Sequence, residues 1–374
     1  MVKGIISGLL NRPGGAYNTH LHCSWTRAAG LSVAAMLILL VASNHRLDGN
    51  KSDWELVPLI QPLLNDMNNY LATKSAASKY ARCDASSLKL HGSEEPLSAT
   101  AVNARIGING SDVSTSIAGK DDGKDSELNQ HFIQALVLSA PCGKSKSGCC
   151  EHNVFVRPGT TDFNVFHQIF VQQQLKYLYA LFEKSPPKYI LDAGANAGFS
   201  TSLFKLLWPD AIIVSVEPNP KNFETLKKNT AAFENVHPIN AGLWGRKAKI
   251  GQIGNHGEWG LVFQEVGADD KDGMQAYGVW DLARMHDIPS FDFIKIDIEG
   301  AEGQVFAPGA DISWIDKASA VSLEIHDFFH GYFNLGETEI SSRIAAAFGS
   351  RPYGMTTDNE HTIYARYSLL KTLL

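Results

Sequence analysis

From Val154 onward, apolar and polar residues fall into short alternating blocks. Runs of strand length (KYILDA, AIIVSVEP, VHPINAGLW, FDFIKIDI and SAVSLEIH) are separated by stretches of helical spacing, two of which begin at Phe199 and Pro220. This alternation predicts βαβ units around a parallel sheet. The segments YIL, IIVSV and FIKI are apolar with little period-two pattern, as expected of strands covered on both faces. A helix is predicted before them, from Asn164 to Glu183. Val165, Phe166, Ile169, Phe170, Leu175, Leu178 and Leu181 make one broad apolar face, and Pro186-Pro187 ends it. Residues Ala248 to Val266 break the rhythm and read as a Gly-rich hairpin inserted after the third strand. His361 to Tyr367 (HTIYARY) alternates and is predicted as a last, antiparallel strand.

The chain before Val154 has a different character. Ala28 to Ser43 (AAGLSVAAMLILLVAS) is uncharged, Lys3, Arg12 and Arg27 precede it, and no acidic residue appears before Asp48. At about 1.5 Å per residue, this run is near the lower limit for crossing a bilayer core roughly 30 Å thick. The charge bias predicts a signal-anchor with residues 1–27 cytosolic, 28–43 in the membrane and the remainder in the Golgi or ER lumen. A cleaved signal peptide and an organellar transit peptide stay open as alternatives. Residues 44–150 read as a stalk or variable region, with one helical stretch from Trp54 to about Lys79 and a Ser/Gly/Asp/Asn-rich linker over 84–130. The catalytic part is expected to occupy 151–374.

Composition adds limits. With 374 residues, 44% hydrophobic and 19% charged, the chain can bury a sizeable core. A net charge of −6 with no long Lys/Arg block gives no reason to expect a nucleic-acid partner. Five cysteines occur without CxxC spacing. Cys142, Cys149 and Cys150 flank one loop, where two of them could pair in an oxidising lumen.

The chemistry concentrates at strand ends. In ILDAGANAGFS a strand ends at Asp192 and a helix begins near Gly198, with Gly194 and Gly198 permitting a tight turn and close backbone approach to a ligand. The spacing is Asp-x-Gly-x-x-x-Gly, which departs from the dinucleotide fingerprint. Asp192 can accept a hydrogen bond from a cofactor. Glu217, 25 positions later at the end of the next strand, can take both ribose hydroxyls. Pro218 fixes the following turn and Asn219 can reach the adenine side. Further on, alternation in KIDIEGAE places Lys295, Asp297 and Glu299 on one side of a strand end. Asp297 or Glu299 can act as a base or orient an acceptor, and His326, closing SLEIH, is a second candidate base. Glu302 reads as a residue of a helix first turn. Asp297, Glu299 and Glu324 together have the donors for a divalent cation, but no metal is assigned from the sequence.

LDAGANAGFST, SVEPNP, NAGLW, FIKIDIEGAEGQVF and SLEIH, in that order, resemble the FkbM-type family of S-adenosylmethionine-dependent methyltransferases over roughly residues 160 to 350. The resemblance implies a class I methyltransferase fold, Rossmann-like α/β, with a mostly parallel seven-stranded sheet. It implies cofactor contacts at Asp192, Gly194, Asn196, Gly198 and Glu217, with Asn240 to Trp244, Leu243 among them, near the adenine. The expected activity is methyl transfer to a hydroxyl of a glycan or other small polar acceptor. A non-catalytic, membrane-tethered binding module and a nucleotide-dependent oxidoreductase are the alternatives.

Overall fold

The computed structural model describes residues 89–90, 136–142, 149–157, 160–255, 260–358 and 360–370. The expected membrane span at 28–43 and the helix at 54–79 lie outside them. Among the described residues no helix is long and apolar enough to cross a membrane.

The principal sheet is built from β4 (Tyr189–Ala193), β5 (Ile212–Val216), β6 (Val236–Ile239), β11 (Phe293–Ile296), β12 (Ala320–Glu324), β13 (Tyr353–Asp358) and β14 (His361–Arg366). Its order is β6-β5-β4-β11-β12-β14-β13. β14 runs antiparallel to both of its neighbours, and the other pairs are parallel. This is the expected seven-stranded arrangement with an antiparallel last strand.

Successive residues of the central strands point to opposite faces, and both faces are buried. Ile190, Ile213, Phe293, Ala320 and Ile363 pack on one side with Phe166, Phe170, Leu178, Phe199, Leu203 and Phe204. Leu191, Val214, Ile294, Ile296, Val321 and Leu323 pack on the other with Leu282, Ile340, Ile344 and Phe348. The helices supplying these contacts include α1 (Asp162–Phe166), α2 (Tyr177–Leu181), α3 (Phe199–Leu207), α5 (Val279–Met285), α6 (Glu302–Val305) and α7 (Glu339–Phe348); α4 (Pro220–Thr230) follows β5.

Four departures from the expected elements bear on the site. The single helix over 164–183 is broken. After α1 a π-helical turn covers His167–Val171, Gln173 takes φ 52°, and the chain resumes as α2. A π turn shifts side chains out of the regular helical register. Here it brings Gln168, Ile169 and Gln174 to the cavity described below.

The run VHPINAGLW divides into β6 and a second strand, β7 (Gly242–Leu243), which leaves the main sheet. The expected hairpin forms from β8 (Ala248–Asn255) and β9 (Leu261–Glu265). It joins β10 (Met274–Tyr277) and β7 in a separate four-stranded sheet of order β7-β10-β8-β9. Finally, β1 (Lys89–Leu90), β2 (Leu136–Pro141) and β3 (Cys149–Val154) pair as a third, antiparallel sheet. Strand structure is therefore present within the region read as a stalk. A Cys142–Cys150 disulfide ties the end of β2 to the start of β3.

Candidate active site

The polar residues of the central strands share one face and one level. Register pairs Ser215 with Asp192, Asp192 with Lys295, and Lys295 with Ser322. Asp192 is fully buried. Its Oδ2 accepts the hydroxyls of Ser200 (2.7 Å) and Thr201 (2.6 Å), and Thr201 also meets Ser215 at 2.9 Å. Lys295, also buried, lies 3.9 Å from Asp192 Oδ1 and donates to Asp297 Oδ2 at 3.0 Å. Burial opposes the Lys295 charge, but the carboxylates of Asp297 and Asp192 outweigh it and hold the ammonium above its usual range. The row continues through Ser322, which meets the Tyr177 hydroxyl at 2.5 Å and His361 at 3.3 Å. Buried polar groups are tolerated when each finds a partner, and this chain of contacts supplies one for most of them.

Above this row, at the C-terminal ends of the strands, lies a cavity of about 500 Å³. Open α/β sheets bind ligands in this position. On one side it is bounded by Gly194, Ala195, Asn196, Val216, Glu217 and Pro218. Glu217 is buried, and it organises the loop. Its Oε2 accepts the Asn196 amide at 2.8 Å; its Oε1 accepts the Asn219 amide at 2.8 Å and Asn222 Nδ2 at 3.4 Å. Burial pushes the Glu217 carboxyl up to about 7, against these hydrogen bonds. A carboxylate oxygen has two lone pairs, so capacity remains for ligand hydroxyls.

The glycines of the loop have steric duties. Gly194 has φ 74°, and a Cβ there would stand 1.7 Å from the Asp297 carbonyl oxygen. Gly198 has φ 87°, and a Cβ would meet Leu226 at 2.8 Å.

Asp192 and Gly198 are not among the residues lining the cavity; Asp192 ties the strand end to Ser200 and Thr201 of α3. Asn219 caps α4 by accepting the Lys221 amide at 2.9 Å and is not among the lining residues; Asn222 is. Asn240 donates to the carbonyls of Glu217 and Pro218 and ties down that turn. Gly242, Leu243 and Trp244 do reach the cavity, together with Ile250, Leu261 and Phe263 of the second sheet.

The opposite wall carries the expected acid–base residues. Asp297, Glu299, Glu324 and His326 all line the cavity. β11 ends at Ile296, so strand alternation does not set the position of Glu299. The residue sits instead in a left-handed turn (φ 55°), followed by Gly300 at φ 91°. Uncommon backbone of this kind gathers at functional sites.

His326 is 3% exposed and Glu302 is fully buried beside it. Glu302 Oε1 meets His326 Nδ1 at 2.9 Å and accepts the Ile298 amide at 3.0 Å. Glu302 therefore holds the imidazole, a role beyond its place in a helix first turn. Burial opposes a charged His326 ring, but Glu302, then Glu324 and Asp297, push it up to about 12. Burial, with the surrounding carboxylates, pushes Glu299 up to about 8. Burial also works against the Asp297 charge, yet Lys295 and His326 hold that carboxyl below its usual range.

The sheet order, the Gly-containing first turn, the acidic second strand end and the carboxylate cluster opposite are the arrangement that the resemblance to S-adenosylmethionine-dependent methyltransferases implies. The family model of the methyltransferase FkbM domain matches residues 192–342, and the chain is similar to that family over this part. It is similar to the 2-O-methyltransferase NoeI of Sinorhizobium fredii, 25% identical over 173 residues covering 42% of this chain and 67% of that protein. Among solved structures it is similar to a caffeoyl-CoA O-methyltransferase assignment from Staphylococcus aureus, with 15% identity, 52% of this chain and 83% of that chain covered, and TM-score 0.32. It is also similar to the O-methyltransferase TomG of Streptomyces achromogenes, with 14% identity, 53% and 80% covered, and TM-score 0.32. The match to the methyltransferase FkbM domain makes the cofactor S-adenosyl-L-methionine. The cavity fits it: Glu217 offers lone pairs for ribose hydroxyls, and Leu243 with neighbouring apolar side chains offers a surface for the adenine.

Proposed function

We propose that the chain methylates a hydroxyl group of a glycan or of another small polar acceptor. One observation carries this reading: the Asp297 carboxylate, anchored by Lys295, lines the same cavity as the cofactor-side residue Glu217. S-adenosylmethionine supplies the methyl group on a good leaving group. The protein must then align the acceptor and take up the hydroxyl proton. Lys295 fixes one oxygen of Asp297, which leaves the other to orient the acceptor hydroxyl. Glu299 and His326 complete the polar wall, and Asp297, which Lys295 and the charged His326 hold ionised, receives the displaced proton. The name of the Sinorhizobium fredii relative, a 2-O-methyltransferase, supports oxygen as the acceptor atom.

The direct test follows transfer of labelled methyl from S-adenosylmethionine into glycan and small-molecule extracts. Wild type is expected to label a hydroxyl-bearing product. Asp297→Asn is expected to bind the cofactor and label nothing. Equal, zero labelling by both proteins on all extracts, with cofactor binding intact, would favour the second reading, a non-catalytic binding module.

The proposed location is a Golgi or ER lumen, behind an anchor at 28–43. The Cys142–Cys150 disulfide supports it, because such bonds persist in oxidising compartments. An organellar transit peptide remains the competing reading, and protease protection in isolated membranes separates the two.

A further inference from the structure

We propose that Asp297, Glu299, Glu324 and His326 form a binding site for one divalent first-row cation, of the Mn²⁺ or Zn²⁺ type. His326 Nε2 points into a group of three carboxylates, at 3.5 Å from Glu324 Oε1, 3.7 Å from Glu299 Oε2 and 3.9 Å from Asp297 Oδ1. One donor atom each from Asp297, Glu299 and His326 falls within 4.8 Å of the others. These separations exceed the 2.9 Å contact on the other ring nitrogen. The three His326 Nε2 distances are those an ion requires: two metal–ligand bonds of about 2.0–2.2 Å put neighbouring donors about 3 to 4 Å apart.

The surroundings point the same way. Metal-binding histidines commonly give their second nitrogen to a carboxylate, which fixes the ring and its tautomer. Fully buried Glu302 does this here, and its own position is set by the Ile298 amide. Lys295 holds Asp297 Oδ2, so Oδ1 is the oxygen left facing the imidazole. Oxygen donors with one imidazole suit manganese and zinc better than copper or a thiolate-bound metal. The site also faces the cavity, so water or an acceptor oxygen can complete the coordination. A role for the ion in polarising an acceptor hydroxyl rests on the function proposed above; the binding itself does not. The competing account is a closed ion network in which a proton on His326 does the work of the metal.

The test uses the full chain, stripped by a chelator and titrated with Mn²⁺ alone, without acceptor. Loss of the free Mn²⁺ paramagnetic signal is expected at one equivalent. His326→Gln and, separately, Glu324→Gln are expected to weaken binding at least tenfold, with S-adenosylmethionine affinity retained as proof of folding. Glu302→Gln is expected to weaken it less, as a positioning residue. If stripped wild type takes up neither Mn²⁺ nor Zn²⁺, or holds them no tighter than a well-folded Glu324→Gln variant, the closed network is correct and the proposal falls. Because no acceptor is present, failure of the proposed methylation would not affect this result.

Discussion

Lys295 and Asp192 face each other across the β4–β11 register, buried and 3.9 Å apart, with the Lys295 ammonium held between the carboxylates of Asp192 and Asp297. Removing one member of such a pair leaves an uncompensated buried charge, which typically costs about 3–5 kcal/mol. Lys295→Met should therefore lower stability by roughly 3 kcal/mol or more, read from the denaturant midpoint at pH 7. A change under about 0.5 kcal/mol, the range of ordinary surface substitutions, would show that the row is not a structural element.

Glu217 should make cofactor affinity depend on pH. Its folded carboxyl titrates near 7, raised by burial, while ribose hydroxyls donate best to the ionised form. Binding should tighten as pH rises through about 7, with proton release on binding below it. The stability sign is opposite: a raised carboxyl makes the folded state bind more protons, so its contribution declines between the unfolded value and 7. Calorimetry at pH 6 and 8 checks the first trend. Glu217→Ala should weaken binding at least tenfold and flatten the pH trend.

Gly194→Ala should disable the protein through the fold. The added Cβ meets a backbone carbonyl at 1.7 Å, and the φ of 74° is itself unfavourable for alanine. A loss of at least about 2 kcal/mol is expected, with cofactor binding lost in parallel. Wild-type melting behaviour would contradict the contact with Asp297.

Phe328 is 70% exposed, lines the cavity, and stands 5.6 Å from the His326 ring. An exposed aromatic face beside a polar cluster suits a sugar ring. Phe328→Ala should raise the acceptor KM about five- to thirtyfold, the equivalent of 1–2 kcal/mol of lost apolar contact, and leave cofactor affinity unchanged. An unchanged KM would place the acceptor elsewhere in the cavity.

How much of this was readable from the chain depends on the range of each contact. The β4 turn, Glu217 and the strand carrying Asp297 were legible because local pattern places them: an apolar run, a turn residue, an acid at the strand end. Glu302 was named but its function was hidden, since the bond to His326 spans 24 residues and follows no periodicity. Tyr177 and Ser322, 145 residues apart, gave no signal. The π turn after α1 was missed because apolar spacing continues through it. Asp192 and Asn219 are expected from their positions to be ligand contacts, yet neither lines the cavity: Asp192 Oδ2 takes the Ser200 and Thr201 hydroxyls, and Asn219 caps α4. β13 was missed for another reason: YGMTTD has weak alternation and depends on β14 for its pairing.

The collision that Gly194 avoids has a consequence for how such a protein can diversify. The turn at Gly194 and the turn that presents Asp297 are in hard backbone contact, so neither can be reshaped independently. A lineage seeking a new acceptor would have to leave both alone. Variation can accumulate instead in the β8–β9 hairpin and the segment from Asp327 to Phe333, which border the same cavity without being locked to that contact. Those two segments are the natural place to begin redesigning what the protein methylates.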